Sequence, residues 1–459
     1  MKIAIINQPW GGLVPPKPSG SIPILIYETA QRLAKAGHDV TVYNRALWKK
    51  EMIQHEGVTY KSIPIVLDKV LIKGLNRLPF RNDLKPPFLW NIAYFTYGLQ
   101  IALDLRGKSC DWVHVHNFSQ FISTICFFNP KVKVALQTHC EWLNKLDAKF
   151  LEPRLQKADI IVSCSSFLTQ ETQQRFPNIA DRCHTIFNGV DAEYFSQLSY
   201  TESLREDHAA NQKYSEDSKR LLHPSPSDVA VQPTLHQTSV STDLADTLAA
   251  RAMVKVTPCL LAAHRSAATP SLKPLRILYV GRLSPEKGTH ILLEAFERVY
   301  EKMPTVQLDL VGSQEVMPYE YLIGMDDDPK ILNLLRFYPS TQWQAYLMQW
   351  QRSHPAAKQV NFVGNVNYAD LKHYYHSADL FVFPSICDEA FGMPVAEAMV
   401  AGLPVITTHA GALPELVDYG RCGWLVPPDD ATSLAAKMLE VLASLKHQPS
   451  HHPHWNANV

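Results

Sequence analysis

Short apolar runs alternate with amphipathic stretches over most of this chain, and each run ends in a loop of small or polar residues. Lys2 to Asn7 reads as a first buried strand. A long loop, Gln8 to Gly20, follows it. Leu25, Ala30 and Leu33 then recur at helical spacing through Ile24 to Lys35, and Gly37 ends that helix. Val40 to Tyr43 is a second strand. A strand, loop, helix and strand within about forty residues predict the opening of a doubly wound parallel sheet. Asp111 to Val115, Lys133 to Gln137 and Ile160 to Ser163 continue the series. Further on, Leu275 to Val280, Val306 to Val311, Val360 to Val363 and Leu380 to Pro384 are again runs of buried-strand type. Helices are expected from Thr289 to Glu301 and from Ala431 to Leu445.

The pattern breaks between about Ser196 and Leu272, which hold no glycine and only Tyr200 and Tyr214 as aromatics. So little apolar surface cannot offset the entropy of ordering a chain. A poorly ordered insertion is expected, with one helix over Asp243 to Val256. The resulting division is an N-terminal domain 1–195, the insertion 196–272, a C-terminal domain 273–446 and a disordered, histidine-bearing tail 447–459. A length of 459 residues also favours two domains.

Composition narrows the picture. Lys plus Arg and Asp plus Glu number 44 each, so no overall basic field points to nucleic acid. Eight scattered cysteines without a C-x-x-C pair suit a reducing cytoplasm. Met1 to Ile6 is too short for a signal sequence, and Phe121 to Phe128 is too short to span a bilayer. A cytoplasmic protein is expected, with association at the inner face of a membrane left open.

The densest chemistry lies in Glu389-Ala-Phe-Gly-Met-Pro-Val-Ala-Glu397. Pro394 suits a helix start and Gly402 a helix stop, so Glu389 falls in the loop and Glu397 about one turn inside the helix. Both follow the Leu380 to Pro384 strand, at the end where open α/β sheets bind ligands. A carboxylate accepts from hydroxyls, and two so placed suit a ligand with two diols, such as a nucleotide sugar. A second element, Gly281-Arg-Leu-Ser-Pro-Glu-Lys-Gly288, follows a strand and precedes a helix. Its turn would bring Arg282 and Lys287 to a diphosphate at a helix N-terminus.

Together these segments resemble the E-x7-E and G-R-x-x-x-x-K-G elements of retaining GT-B glycosyltransferases, in particular glycosyltransferase family 4 (glycosyl transferases group 1). The resemblance implies an α/β fold of two Rossmann-like domains facing across a cleft. It implies that Arg282 and Lys287 hold the donor phosphates beside Gly281. Glu389 would hold the donor sugar with the amides of Phe391 and Gly392, and Glu397 the ribose. Gly20-Ser21 resembles the family's Gly-Gly loop, with Ser at the second place, and His139 matches a histidine that bonds the transferred sugar. Asn188-Gly-Val-Asp191 resembles the turn closing the first domain. The implied substrates are a nucleoside diphosphate hexose and a hydroxyl acceptor (a glycan, lipid or small molecule), with retention at the anomeric carbon, no metal and no cofactor. His114 and His116 share one strand face and are read as a structural strand end. Ser165 and Ser166 fit either an acceptor surface or a hydrogen-bonded strand end. Asp326 to Asp328, within a long polar region from Ser313 to Gln359, is read as loop. Two alternatives stay open: an epimerase or phosphorylase of the same fold, and a non-catalytic nucleotide-sugar-binding partner in polysaccharide assembly.

Overall fold

In Lys2–Ile6 every residue after the lysine is buried, on both faces of the strand. That is the signature of a parallel strand covered by helices on each side. The computed structural model describes residues 1–10, 20–75, 93–196, 274–318, 326–338 and 340–447. The first sheet comprises β1 (Lys2–Ile6), β2 (Asp39–Ala46), β3 (Glu51–His55), β4 (Val58–Pro64), β5 (Trp112–His116), β6 (Lys133–Thr138), β7 (Ile160–Ser163) and β8 (Cys183–Thr185). Their order is β3-β4-β2-β1-β5-β6-β7-β8. Only β3 runs antiparallel, paired with β4. The second sheet comprises β9 (Arg276–Val280), β10 (Gln307–Val311), β11 (Val360–Gly364), β12 (Leu380–Phe383), β13 (Val405–Thr408) and β14 (Trp424–Val426). It is parallel throughout, in the order β11-β10-β9-β12-β13-β14.

In each sheet the strand order reverses beside the first strand, between β1 and β5 and between β9 and β12. The loops leaving such a pair diverge to opposite faces and open a crevice at the carboxyl ends. The α/β fold of two Rossmann-like domains is therefore present, and the crevices fix where a ligand can sit.

Three details extend these expectations. The Ala192–Ser196 helix leaves the first sheet, and Phe195 is fully buried against Tyr375 and Tyr368 of the second core, at 5.6 and 5.7 Å between rings. Phe195, at the end of the range expected for the first domain, thus anchors on the second core. The long polar region from Ser313 to Gln359 holds a helix among its described residues. Ser340–Ser353 is a helix burying Trp343, Leu347 and Trp350, and the Trp343 indole donates to the Leu283 carbonyl at 2.7 Å. Its apolar positions keep helical spacing, but glutamines and serines hide them. Finally, the β3–β4 hairpin, turning at Glu56 and Gly57, extends the first sheet beyond the expected strands. The insertion beyond Ser196, with its Asp243 to Val256 helix, and the tail beyond His447 lie outside the described residues. No helix among the described residues is long and apolar enough to cross a membrane.

Candidate active site

The loop leaving β9 is stitched to the loop leaving β12 across the second switch point. After the Pro285–Lys287 turn, Gly288 adopts φ 68°. A Cβ on Gly288 would stand 1.9 Å from the Pro384 carbonyl oxygen, so no residue with a side chain permits this approach. The Glu286 carbonyl accepts the N–H groups of Ile386 and Cys387 at 3.0 and 3.3 Å. This contact delivers Lys287 to Glu389, with Nζ 2.5 Å from Oε1. The Ser385 hydroxyl donates to the same oxygen at 2.6 Å. Burial opposes charge on Lys287, but the Glu389 carboxylate outweighs it and holds the ammonium above its ordinary range. Arg282, one-third exposed, pairs with the fully buried Glu286 at 3.0 Å.

Glu389 is fixed from below by a second glycine. It forms a bridge with Gly411, where a Cβ would meet the Glu389 backbone N and O at 2.5 Å. Gly392, at φ 97°, caps the Met393–Val400 helix, and Pro394 occupies its first turn. No acceptor faces the N–H groups of Phe391 and Gly392 among the described residues. These free donors lie next to the Glu389 carboxylate at a helix start, where an anion or hydroxyl oxygen is favoured. Glu397 sits in the second turn, 5% exposed, and accepts from the Tyr375 hydroxyl at 2.7 Å. Burial pushes its carboxyl up to about 7, with the Tyr375 bond pulling the other way.

The first sheet supplies an uncharged counterpart. Beyond its switch point, the Asn117 side chain donates to Gln8 at 3.2 Å and accepts the His139 N–H at 2.8 Å. The His139 ring lies parallel to that of His116, with Nε2 2.7 Å from the partner's Nδ1. The His114 ring lies behind that of His116, tilted by 36° with 4.4 Å between centroids. Burial pushes His114 down to about 4, and burial with the neighbouring His114 pushes His139 down to about 3. His116 is held well below its ordinary value by burial and by both neighbours. At neutral pH the three imidazoles are uncharged. His116 is thus more than a strand end. The shared strand face of His114 and His116 was the available signal, since the same face carries the contact of His116 to His139. Gly20 (φ 90°) caps the Ser21–Lys35 helix. Its neighbours at 11–19 lie outside the described residues, and among the described ones it meets none of the other candidates.

Three contacts bring the carboxyl ends of the two sheets together. Cys164, just past β7, donates its thiol to the Ala390 carbonyl at 3.3 Å. The Glu415 carboxylate accepts the Ser166 N–H at 3.0 and 3.2 Å. Lys145 lies between Glu141 at 2.6 Å and Asp326 at 2.5 Å. The Phe391 ring packs with Cys164, Leu168 and Ala396 in the same seam. Ser165 accepts from the Leu168 N–H, so this serine pair is a hydrogen-bonded helix start. Asp328 caps Pro329–Leu332, which extends the loop reading of the acidic triplet, while Asp326 crosses to the other domain. Ser385, His116, Glu286, Tyr375, Gly411 and the Lys145 clasp are additions from the structure.

Two doubly wound domains with opposed ligand ends are the GT-B architecture of glycosyltransferases. The chain matches Glycosyltransferase Family 4 over residues 23–194 and Glycosyl transferases group 1 over residues 263–451. It belongs to that family. Spore coat protein SA of Bacillus subtilis is 22% identical over 431 residues, covering 93% of this chain and 85% of that protein. A glycogen synthase of Mycobacterium tuberculosis is 32% identical over 177 residues, 39% of this chain and 36% of that enzyme. The crystal structure of Anabaena HepE in complex with UDP and glucose shares the fold, with TM-score 0.58 and 16% identity, covering 98% of this chain and 92% of that one.

Proposed function

We propose that this glycosyltransferase moves a hexose from a nucleoside diphosphate sugar to an acceptor hydroxyl with retention at the anomeric carbon. The carrying observation is the 2.5 Å contact of Lys287 with Glu389 across the second switch point. It joins the cation suited to a diphosphate with the carboxylate suited to a sugar. In this reading Gly281 lets the backbone turn at the phosphates, which Arg282 and Lys287 neutralise. Glu389 and the free amides of Phe391 and Gly392 hold the sugar, and Glu397 holds the ribose. His139 bonds the sugar from the opposite domain, and Gly20 borders the phosphates. The bound UDP and glucose of Anabaena HepE support a donor of this type.

The chemistry follows from charge. The bond from the anomeric carbon to the diphosphate oxygen breaks, and that oxygen gains negative charge beside Arg282 and Lys287. The acceptor oxygen bonds to the same face of the sugar while its proton passes to the departing phosphate oxygen. No protein nucleophile is needed, and neither metal nor cofactor enters the step. Lobe closure keeps water from the oxocarbenium-like sugar. Acceptor recognition falls to the first domain, and a membrane-facing acceptor is compatible with the proposal.

Thermal-shift screening against a panel of nucleotide sugars tests the donor, because a ligand that binds the folded state raises the melting temperature. NMR of the product then reads the anomeric configuration, and an assay in chelator reads metal dependence. An inverted product would overturn retention, and a flat thermal response to every donor would overturn the donor site.

A further inference from the structure

The Glu389 carboxylate is gripped at one oxygen only. Lys287 Nζ and Ser385 Oγ both meet Oε1, at 2.5 and 2.6 Å, and no donor among the described residues meets Oε2. Ser385 has a single hydroxyl proton and two acceptors in reach, Oε1 and the Cys387 carbonyl at 3.0 Å. The shorter contact, to an ionised oxygen, takes the proton. Ser385 is itself fully buried, and its carbonyl accepts from the Thr408 hydroxyl at 2.6 Å. The serine is therefore anchored to β13 by its backbone, and its side chain is left to act on Glu389.

We propose that Ser385 is a positioning residue that locks the Glu389 rotamer, so that the carboxylate presents the single oxygen Oε2 to the donor sugar. The proposal rests on the donor-site reading above and deepens it. Without the serine, Lys287 alone would hold Oε1. An ammonium is a point charge that accepts either oxygen from a range of directions, so the carboxylate could rotate. The sugar then loses a fixed partner, while the phosphate and ribose contacts stay in place.

The test compares Ser385→Ala with wild type by calorimetry against UDP and UDP-glucose, and against GDP and GDP-mannose. About tenfold weaker binding of the nucleotide sugar, with the free diphosphate unchanged, is expected from one lost hydrogen bond to a charged group. The KM for the donor should rise in parallel, and Ser385→Cys, which keeps a weak donor of similar shape, should recover part of the loss. Equal affinities in wild type and Ser385→Ala would overturn the proposal. So would equal loss for sugar and free diphosphate, which a merely structural serine would produce. A wild type that binds none of the four nucleotides would instead overturn the donor site itself, before any variant is compared.

Discussion

At the switch point of the second sheet the polar groups are charged and paired: Lys287 with Glu389, Arg282 with Glu286. At that of the first sheet they are neutral, with His139 held by His116 and Asn117. The two crevices share a topology yet differ in what they can stabilise. Charge developing on a leaving group calls for cations that need no reorganisation, and among the described residues these stand at the switch point of the second sheet. The first offers hydrogen bonds whose strength does not change with pH in the neutral range, because burial holds its imidazoles deprotonated.

Removing the cation should therefore hurt far more than removing the imidazole. Lys287→Ala should lower kcat by about two to three orders of magnitude, or about 3 to 4 kcal/mol. His139→Ala removes one neutral hydrogen bond and should cost about 1 kcal/mol in kcat/KM. Steady-state kinetics on both variants checks the contrast, and equal losses would erase it.

The next effect acts through the backbone that carries the charged pair. Gly288→Ala places a methyl group where the Pro384 carbonyl stands and forces a positive φ on an L residue. A loss of about 3 kcal/mol of stability is expected, by denaturant titration, with donor binding lost alongside. A variant of normal stability and affinity would mean that the two loops need not touch.

The charged crevice was largely legible in the sequence. Its residues lie in short loops at fixed offsets from strand ends, so Arg282, Lys287, Glu389 and Glu397 could be placed before any coordinates. What was hidden depends on distant contacts. Gly411 matters because it meets the Glu389 backbone, and Ser385 because its hydroxyl reaches four residues forward to the Glu389 carboxylate. Phe195 departs from its own domain because a buried aromatic pocket lies in the other one. The Trp343 helix was masked by polar neighbours at its exposed positions. Periodicity reads strands well, but it does not reveal which side chains meet across a crevice.

A smaller effect tests the exception to the pairing rule, Glu397, which is buried opposite a tyrosine with no cation. Its carboxyl is raised to about 7, so the folded apo protein favours the protonated form below that pH. The group's contribution to stability is full below the ordinary carboxylate range and is lost as pH rises through 7. In the proposed role the ionised carboxylate accepts from both ribose hydroxyls, so binding below pH 7 would expel a proton. Affinity for the free diphosphate should be flat above pH 7 and fall by up to tenfold per unit below it. Glu141, also raised to about 7, titrates in the same window, so Glu397→Gln is the control. If that variant keeps the slope, the proton belongs elsewhere.

The smallest expected effect concerns the seam that opposes the two crevices. The Ser166–Arg175 helix already has its own cap, because Ser165 accepts from the Leu168 N–H at 3.2 Å. Glu415 adds a carboxylate from the other domain to the N–H of Ser166 at 3.0 Å. The two caps serve different N–H groups, but Glu415→Gln keeps an oxygen that can accept from Ser166 and should cost no more than about 1 kcal/mol of stability. The consequence for geometry is larger than for stability, since this bond ties helix to lobe where Phe391 and Leu168 already pack. Weakening it should shift the ligand-free protein toward a more open form, seen as an increased radius of gyration in solution scattering, with saturating donor restoring the compact value. An unchanged radius would assign the closure to the apolar seam, the Cys164 bond and the Lys145 clasp, and the charged crevice would then need no tie through Glu415 to the neutral one.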